Sequence, residues 1–460
     1  MSRKTFGIWL LGLFFSLLFS QLTWAEVKGD YGGAFRLRQE YWENLIDLET
    51  RGMPDRDFFR LRTNLWGKVD FSNNFGIYAR VGNEAKYYLG SYRPFPAPDD
   101  GQQFDEDELF IDNLYLDFKN VFGAPVDLRI GRQDFLGVFG EGFLILDGTP
   151  ADGSRSFYFN AVRATVKFNK NNSVELVYLT NPEKDIYLPS WYPSRPASYG
   201  FSYIDNKRRL NASDERGAIV YGKSKVTDTV TIEPYYIFKT EETVGANKPL
   251  RINTIGARAV FANAAGWKVR GEFAHQFGEY DDNRDRKANG GYLFVGRRYD
   301  KVAFKPEWEL GYVYRSGDDK TTPENEGWDP LFSRAPMWNE LYIYTMTLET
   351  AGEGGALPGY WTNLHLVKFG LKFALAATTN LSASYQYLRA DENTNLTGAN
   401  AAMFSNTSKE RGHLATLMLT HAFSKNLDGF IQAEYFFPGN FYTDKAKEAA
   451  FLRWQLQYKF

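Results

Sequence analysis

The feature that most constrains this chain is a period of two that runs through most of it beyond residue 26. The last segment shows it best. Leu452, Trp454, Leu456, Tyr458 and Phe460 alternate with Arg453, Gln455, Gln457 and Lys459. One face is apolar and aromatic and the other polar, which is the pattern of a strand between two unlike surroundings. Near the other end, Phe59, Leu61, Thr63, Leu65, Val69 and Phe71 oppose Arg60, Arg62, Asn64, Trp66, Lys68 and Asp70. Similar patterns run from Leu364 to Leu375 and from Val230 to Phe238.

A soluble sandwich also alternates, so connection lengths are needed to choose. About eighteen strands are predicted, the first over 30–43 and the last over 448–460. Their connections are alternately short and long. Ser72–Asn74, Asn169–Asn172, Val226–Asp228, Asn263–Gly266, Thr378–Asn380 and Ser424–Asn426 read as tight turns. Long connections fall at 44–56, 91–107, 135–154, 181–214, 317–361 and 392–408. A short end and a long end predict an all-β fold: a transmembrane antiparallel β-barrel with short periplasmic turns and long extracellular loops. Strands of this length match a tilted bilayer span, and closure removes the unpaired edges.

The amino end fits export. Arg3 and Lys4 precede an apolar run from Phe6 to Phe19, and Thr23-Trp-Ala25 offers a small-residue cleavage site. Residues 1–25 therefore read as a signal peptide and 26–460 as one barrel in the outer membrane of a Gram-negative bacterium. A membrane anchor is the competing reading of the same run. The 38 Phe, 29 Tyr and 11 Trp suit a wall that faces lipid. The absence of cysteine excludes disulfides, thiolate metal sites and a cysteine nucleophile. A net charge of −2 argues against nucleic acid as a partner.

In such a barrel the polar parity faces water. The inward basic residues include Arg36, Arg38, Arg60, Arg62, Arg80, Arg129, Arg155, Arg163, Arg258, Arg270, Arg315, Lys368 and Arg453. They outnumber inward acids such as Glu40, Glu84, Asp117, Glu175, Glu233, Glu272, Glu309 and Glu434. The chain is net acidic, yet its predicted lumen is net basic. Low-dielectric walls focus such a field, and a guanidinium fork matches a carboxylate. Ion pairs that merely brace the wall are the competing explanation. Parity would turn Arg132 toward lipid, at a cost of about 2–4 kcal/mol at mid-depth. A bulge at Gly131 that turns both Arg129 and Arg132 inward is the favoured reading. The five glycines and apolar centre of Gly137–Arg155 predict a loop folded into the barrel beside Arg129, Arg132, Arg155 and Arg163.

These segments also carry a resemblance. Leu128-Arg-Ile-Gly-Arg-Gln133, Gly148-Thr-Pro150, Ser154-Arg155 and Asn160-Ala-Val-Arg163 resemble the alginate-export family of outer-membrane barrels. Gly311-Tyr-Val-Tyr-Arg-Ser-Gly-Asp-Asp319 and Asp329-Pro-Leu-Phe332 resemble its later signature. The resemblance implies a narrow electropositive pore for an anionic exopolysaccharide, alginate in the namesake. It marks Arg60, Arg62, Arg129, Arg132, Arg155, Arg163, Arg315 and Arg453 as pore residues, to which inward parity adds Arg258 and Arg270.

The leading expectation is a passive channel that passes an alginate-like polysaccharide outward, with 181–214 and 317–361 as gating loops. The alternative is a porin for uptake of small anions or oligosaccharides through the same lumen. A barrel enzyme is disfavoured. His275, His365, His413 and His421 fall on the lipid parity or near strand ends, without a serine at a useful spacing. A soluble polysaccharide-binding β-protein would not need the regular alternation of turns. No cofactor motif or metal motif is present. Asp105–Glu108 lacks the glycine and spacing of a calcium loop. Expected partners are outer-membrane lipid and lipopolysaccharide, and periplasmic export factors.

Overall fold

The computed structural model describes residues 27–50, 52–89, 104–146, 158–191, 211, 213–244, 247–333, 362–394, 399–405 and 407–460. Arg155 and the predicted signal peptide lie outside the described residues. Eighteen long strands alternate up and down. The first five are β1 (Lys28–Glu43), β2 (Arg56–Ser72), β3 (Phe75–Tyr88), β4 (Phe104–Phe118) and β5 (Val126–Gln133). They are followed by β6 (Phe159–Asn169), β7 (Asn172–Asn181), β8 (Glu215–Lys225), β9 (Val230–Glu241) and β10 (Leu250–Ala262). Then come β11 (Trp267–Tyr280), β12 (Asp285–Arg298), β13 (Glu307–Arg315) and β14 (Leu364–Ala376). The last four are β15 (Thr379–Arg389), β16 (Glu410–Ala422), β17 (Leu427–Pro438) and β18 (Ala449–Lys459). Each pairs antiparallel with its sequence neighbours, and β1 pairs with β18 from Ala34↔Lys459 to Glu43↔Ala450. The sheet is therefore closed, and its backbone groups are satisfied without water.

The period of two decides which way each side chain points. On β1, Phe35, Leu37 and Tyr41 are exposed on the outer wall, whereas Arg36, Arg38, Glu40 and Trp42 are buried inside. On β18, Leu452, Leu456 and Tyr458 are exposed while Phe451, Arg453 and Gln455 are buried. The exposed leucines, phenylalanines and tyrosines form the apolar band that lipid would cover. Trp267 of β11 and Trp308 of β13 meet edge to face at 5.9 Å across Arg297 of β12, near the short turns, as belongs to an interfacial girdle. His365 and His413 pair with the hydroxyls of Tyr312 and Tyr385, both at 2.7 Å.

The inside of the barrel is filled by two connections that leave the wall. After β5, residues 134–146 turn inward and bury Phe135, Phe139, Phe143, Leu144 and Ile145. After β13, residues 316–333 do the same with Trp328, Leu331 and Phe332. Ile145–Leu146 and Phe332–Ser333 pair in parallel, and Ser333 Oγ donates to the Gly142 carbonyl at 2.5 Å. Phe143 packs on Trp328 and on Tyr292 of β12, with ring centroids 5.2 and 5.5 Å apart. Gly290 leaves the wall thin where Trp328 docks, since a Cβ there would lie 2.7 Å from the indole. Each fully buried phenylalanine contributes about 1.5–3 kcal/mol, so these segments are part of the core.

Two expectations need correction. The inward loop is real over 137–146, but it packs toward β8–β13 rather than beside Arg129, Arg132 and Arg163, because its anchors are Tyr221, Tyr292 and Trp328. The rest of the predicted loop, 147–155, lies outside the described residues. The predicted gating loop at 317–361 is, over its described part, also packed inside the barrel.

Candidate lumenal site

The cross-strand register gathers arginines from distant parts of the sequence. Arg36 stands opposite Arg62, Arg38 opposite Arg60, and Glu40 opposite Arg453. Five guanidinium groups thus share one patch of wall on β18, β1 and β2. Two carboxylates hold them. Glu40 lies 3.0 Å from Arg453, 3.2 Å from Arg38 and 3.7 Å from Arg60, and it accepts from the Trp42 indole at 3.1 Å. Glu84 lies 4.0 Å from Arg36 and 3.7 Å from Lys86. Arg38 also donates to Gln455 at 2.7 Å. Arginine is the residue type that survives such crowding, because it stays charged and is weakly hydrated.

A second cationic group lies on β3–β7. Arg129 grips Asp117 with two hydrogen bonds of 2.7 and 2.9 Å, and its guanidinium lies 3.9 Å from the Tyr115 ring centroid. Arg163 is its register neighbour and lies 3.5 Å from Glu175. Arg80 reaches Asp112 at 2.7 Å and Asp134 at 2.9 Å. Asp112 meets it because a bulge between Arg80 and Val81 leaves one extra residue on β4.

A third group clasps the inward segment. Glu141 binds Arg258 at 2.8 Å and Arg270 at 2.5 Å. Arg258 also reaches Glu233 at 3.0 Å, and Arg270 reaches Glu309 at 2.6 Å. Arg315 is fully buried at the end of β13, 5.0 Å above the Phe143 ring. At the long-loop rim, half-burial pushes the Asp391 carboxyl up. Donors from His365, the Gly317 N–H and Tyr314 outweigh it and hold the group below the usual carboxylate range.

The structure therefore brings Arg60, Arg62 and Arg453 together, pairs Arg129 with Arg163, and sets Arg258 and Arg270 around Glu141. Arg132 is placed differently. Pairing runs through Gly131 without a register shift, so Arg132 faces Leu114 and Asn160 on the parity opposite to Arg129. Gly131 has φ +131°, and a Cβ there would lie 2.3 Å from the Leu114 carbonyl oxygen. The expected reset of parity at Gly131 does not occur. Arg132 avoids lipid in another way: Tyr158 lies 3.9 Å from its guanidinium, and Asp185, from the connection after β7, binds it at 2.5 Å. A reset does occur at Gly412. There a bulge between Leu388 and Arg389 frees Arg411, which is buried 4.2 Å from the Phe441 ring. Sequence reasoning missed Arg411 because simple alternation puts it on the lipid side with His413. Glu141 was missed as well, though it is the acid of the inward loop and stands between Gly140 and Gly142.

The chain matches the family model described as alginate export over residues 28–145 and 194–455. Among curated proteins, none matches this chain. Solved outer-membrane proteins share its fold at low identity. Acinetobacter baumannii OccAB2 is 10% identical, with 94% of this chain and 98% of that one covered and a TM-score of 0.56. Pseudomonas aeruginosa OprD is 12% identical, with 95% of each chain covered and a TM-score of 0.54. Pseudomonas aeruginosa OccK5 is 12% identical, with 94% and 98% covered and a TM-score of 0.52. The short turns are thus periplasmic and the long connections extracellular. A closed barrel with a polar, arginine-bearing interior and a family match over most of its length has one reading: the chain belongs to the alginate-export family of Gram-negative outer-membrane β-barrel channels.

Proposed function

We propose that this channel has an electropositive lumen and passes an anionic, alginate-like polysaccharide outward without using energy itself. The observation that carries the reading is the shared patch of Arg36, Arg38, Arg60, Arg62 and Arg453 around two carboxylates. Its guanidinium groups are buried and act through their field, while the partly exposed Arg129 and Arg163 are the ones that would meet successive carboxylates. Movement requires binding that is weak and repeated. The acids already among the arginines keep each site from holding a carboxylate too tightly. A passive pore has no direction of its own. Outward flux would come from synthesis of the polymer on the inner side and from periplasmic factors that deliver it. The two inward segments narrow the lumen, which favours a threaded chain over a wide general pore.

The test is the reversal potential of the protein in a planar bilayer under a salt gradient. Anion selectivity is expected, falling or reversing in Arg62→Glu, Arg129→Glu and Arg163→Glu, with added polyuronate blocking the current. A cation-selective or unselective pore that these substitutions leave unchanged would overturn the electropositive-lumen reading. Selectivity for anions without block by polyuronate would favour uptake of small anions.

A further inference from the structure

Two groups of inward-facing aromatic residues differ among the described residues. Tyr221, Tyr292, Phe294 and Phe159 are buried with the two segments that fill the barrel. Trp66, Tyr78 and Tyr115 are not. They lie on β2, β3 and β4 a few residues from the periplasmic turns, each partly exposed to the lumen. Trp66 and Tyr78 stack with centroids 5.9 Å apart and 20° between planes. Tyr78 and Tyr115 stack at 5.0 Å and 14°. The Arg129 guanidinium continues the row above Tyr115. At the far end Trp66 lies over Gly32, where a Cβ would come within 2.7 Å of the ring.

These rings line a cavity of about 440 Å³ together with Lys68, Asp117 and Arg129. Neither inward segment contributes to its lining among the described residues. A lumen filled only with water and small ions has no use for such a surface, since exposed apolar area costs about 25 cal/mol per Å². Neutralising an anion needs a cation and no ring. A pyranose has different needs. Its axial C–H groups make one apolar face that settles on an aromatic surface, while its hydroxyls and carboxylate project from the rim. The ion pairs Lys68–Asp70 and Arg129–Asp117 and the nearby Lys119 line the same cavity, so its rim offers acceptors for hydroxyls and cations for a carboxylate.

We propose that Trp66, Tyr78 and Tyr115 form a stacking platform at the periplasmic mouth that binds the sugar rings of an acidic polysaccharide as it comes into the lumen. The platform would recognise the polymer as a saccharide, and the arginine patch above would recognise its charge. This rests on the acidic-polysaccharide reading given above, and the test keeps the two apart.

Full-length protein in detergent is titrated calorimetrically with tetragalacturonate and, as a polyanion without sugar rings, with tetraglutamate. Trp66→Ala and Tyr78→Ala are compared with Trp66→Phe, after heat-shifted gel migration confirms intact barrels. The expected result is a loss of about tenfold or more in tetragalacturonate affinity in each alanine variant, comparable to losing one stacked ring. Trp66→Phe should keep most of the affinity, and tetraglutamate binding should be unchanged throughout. Alanine variants that bind tetragalacturonate like the parent would overturn the platform and leave the rings as wall bracing. So would a parent that binds tetraglutamate as tightly as tetragalacturonate, because charge alone would then be read. Failure of the channel reading would show separately, as a bilayer pore without anion selectivity.

Discussion

At the scale of single residues, the most loaded side chain is Glu40. It is fully buried and serves Arg38, Arg60 and Arg453 at once. A buried charge cluster is weak evidence for stability, but removing one partner from it is costly because the others stay buried without compensation. Glu40→Gln is expected to lower barrel stability by about 3–5 kcal/mol, measured as the urea unfolding midpoint in detergent. The surviving variant should be more anion-selective than the parent. The residue scale is also where sequence reading was weakest. Alternation placed Arg60, Arg62, Arg129, Arg163, Arg258 and Arg270 inward, as the structure does. It failed at Arg411, where the register breaks beside Gly412, whereas at Arg132 it held and the expected bulge at Gly131 did not form. A glycine beside an arginine announces an irregular backbone. Whether the strand shifts depends on the partner strand, which the local sequence does not contain.

At the scale of elements, the question is what holds residues 134–146 inside. Apolar packing of Phe135, Phe139 and Phe143 supplies most of the attachment, and Glu141 pins the segment to Arg258 and Arg270 on β10 and β11. Lys239 of β9 and Gln276 of β11 hold the second segment through Asp329. Glu141→Gln is expected to raise single-channel conductance severalfold by loosening the segment, with no change in heat-shifted migration. Unchanged conductance would place the narrowest point elsewhere. The strands themselves were legible, because a wall between lipid and water demands alternation at nearly every position. The inward path of the connections was legible only in part. The glycine-rich, apolar run after residue 137 said that it could not stay in water, but not which wall would receive it.

At the scale of the whole molecule, the proposed function rests on the field of the lumen rather than on any one contact. A focused field is screened by salt, and the Debye length falls from about 10 Å at 0.1 M to about 3 Å at 1 M. The anion-to-cation permeability ratio should therefore fall steeply between these salt concentrations. A ratio that holds at 1 M would point to tight discrete sites instead of a diffuse field. The barrel also explains how residues more than 400 positions apart cooperate. β1 and β18 close the sheet, and their seam joins Arg38 to Gln455 and Glu40 to Arg453.

The sequence by itself determined the strands, their number, the inward and outward faces and the short and long ends. Each of these follows from local periodicity and turn chemistry, which act over a few residues. Only the tertiary structure decided which arginines share a patch, how Arg132 is covered by Asp185, where the inward segments dock and that Trp66, Tyr78 and Tyr115 stack. Those depend on register between strands and on closure of the sheet. Both are set by contacts between residues far apart in the chain, and alternation within one strand carries no information about them.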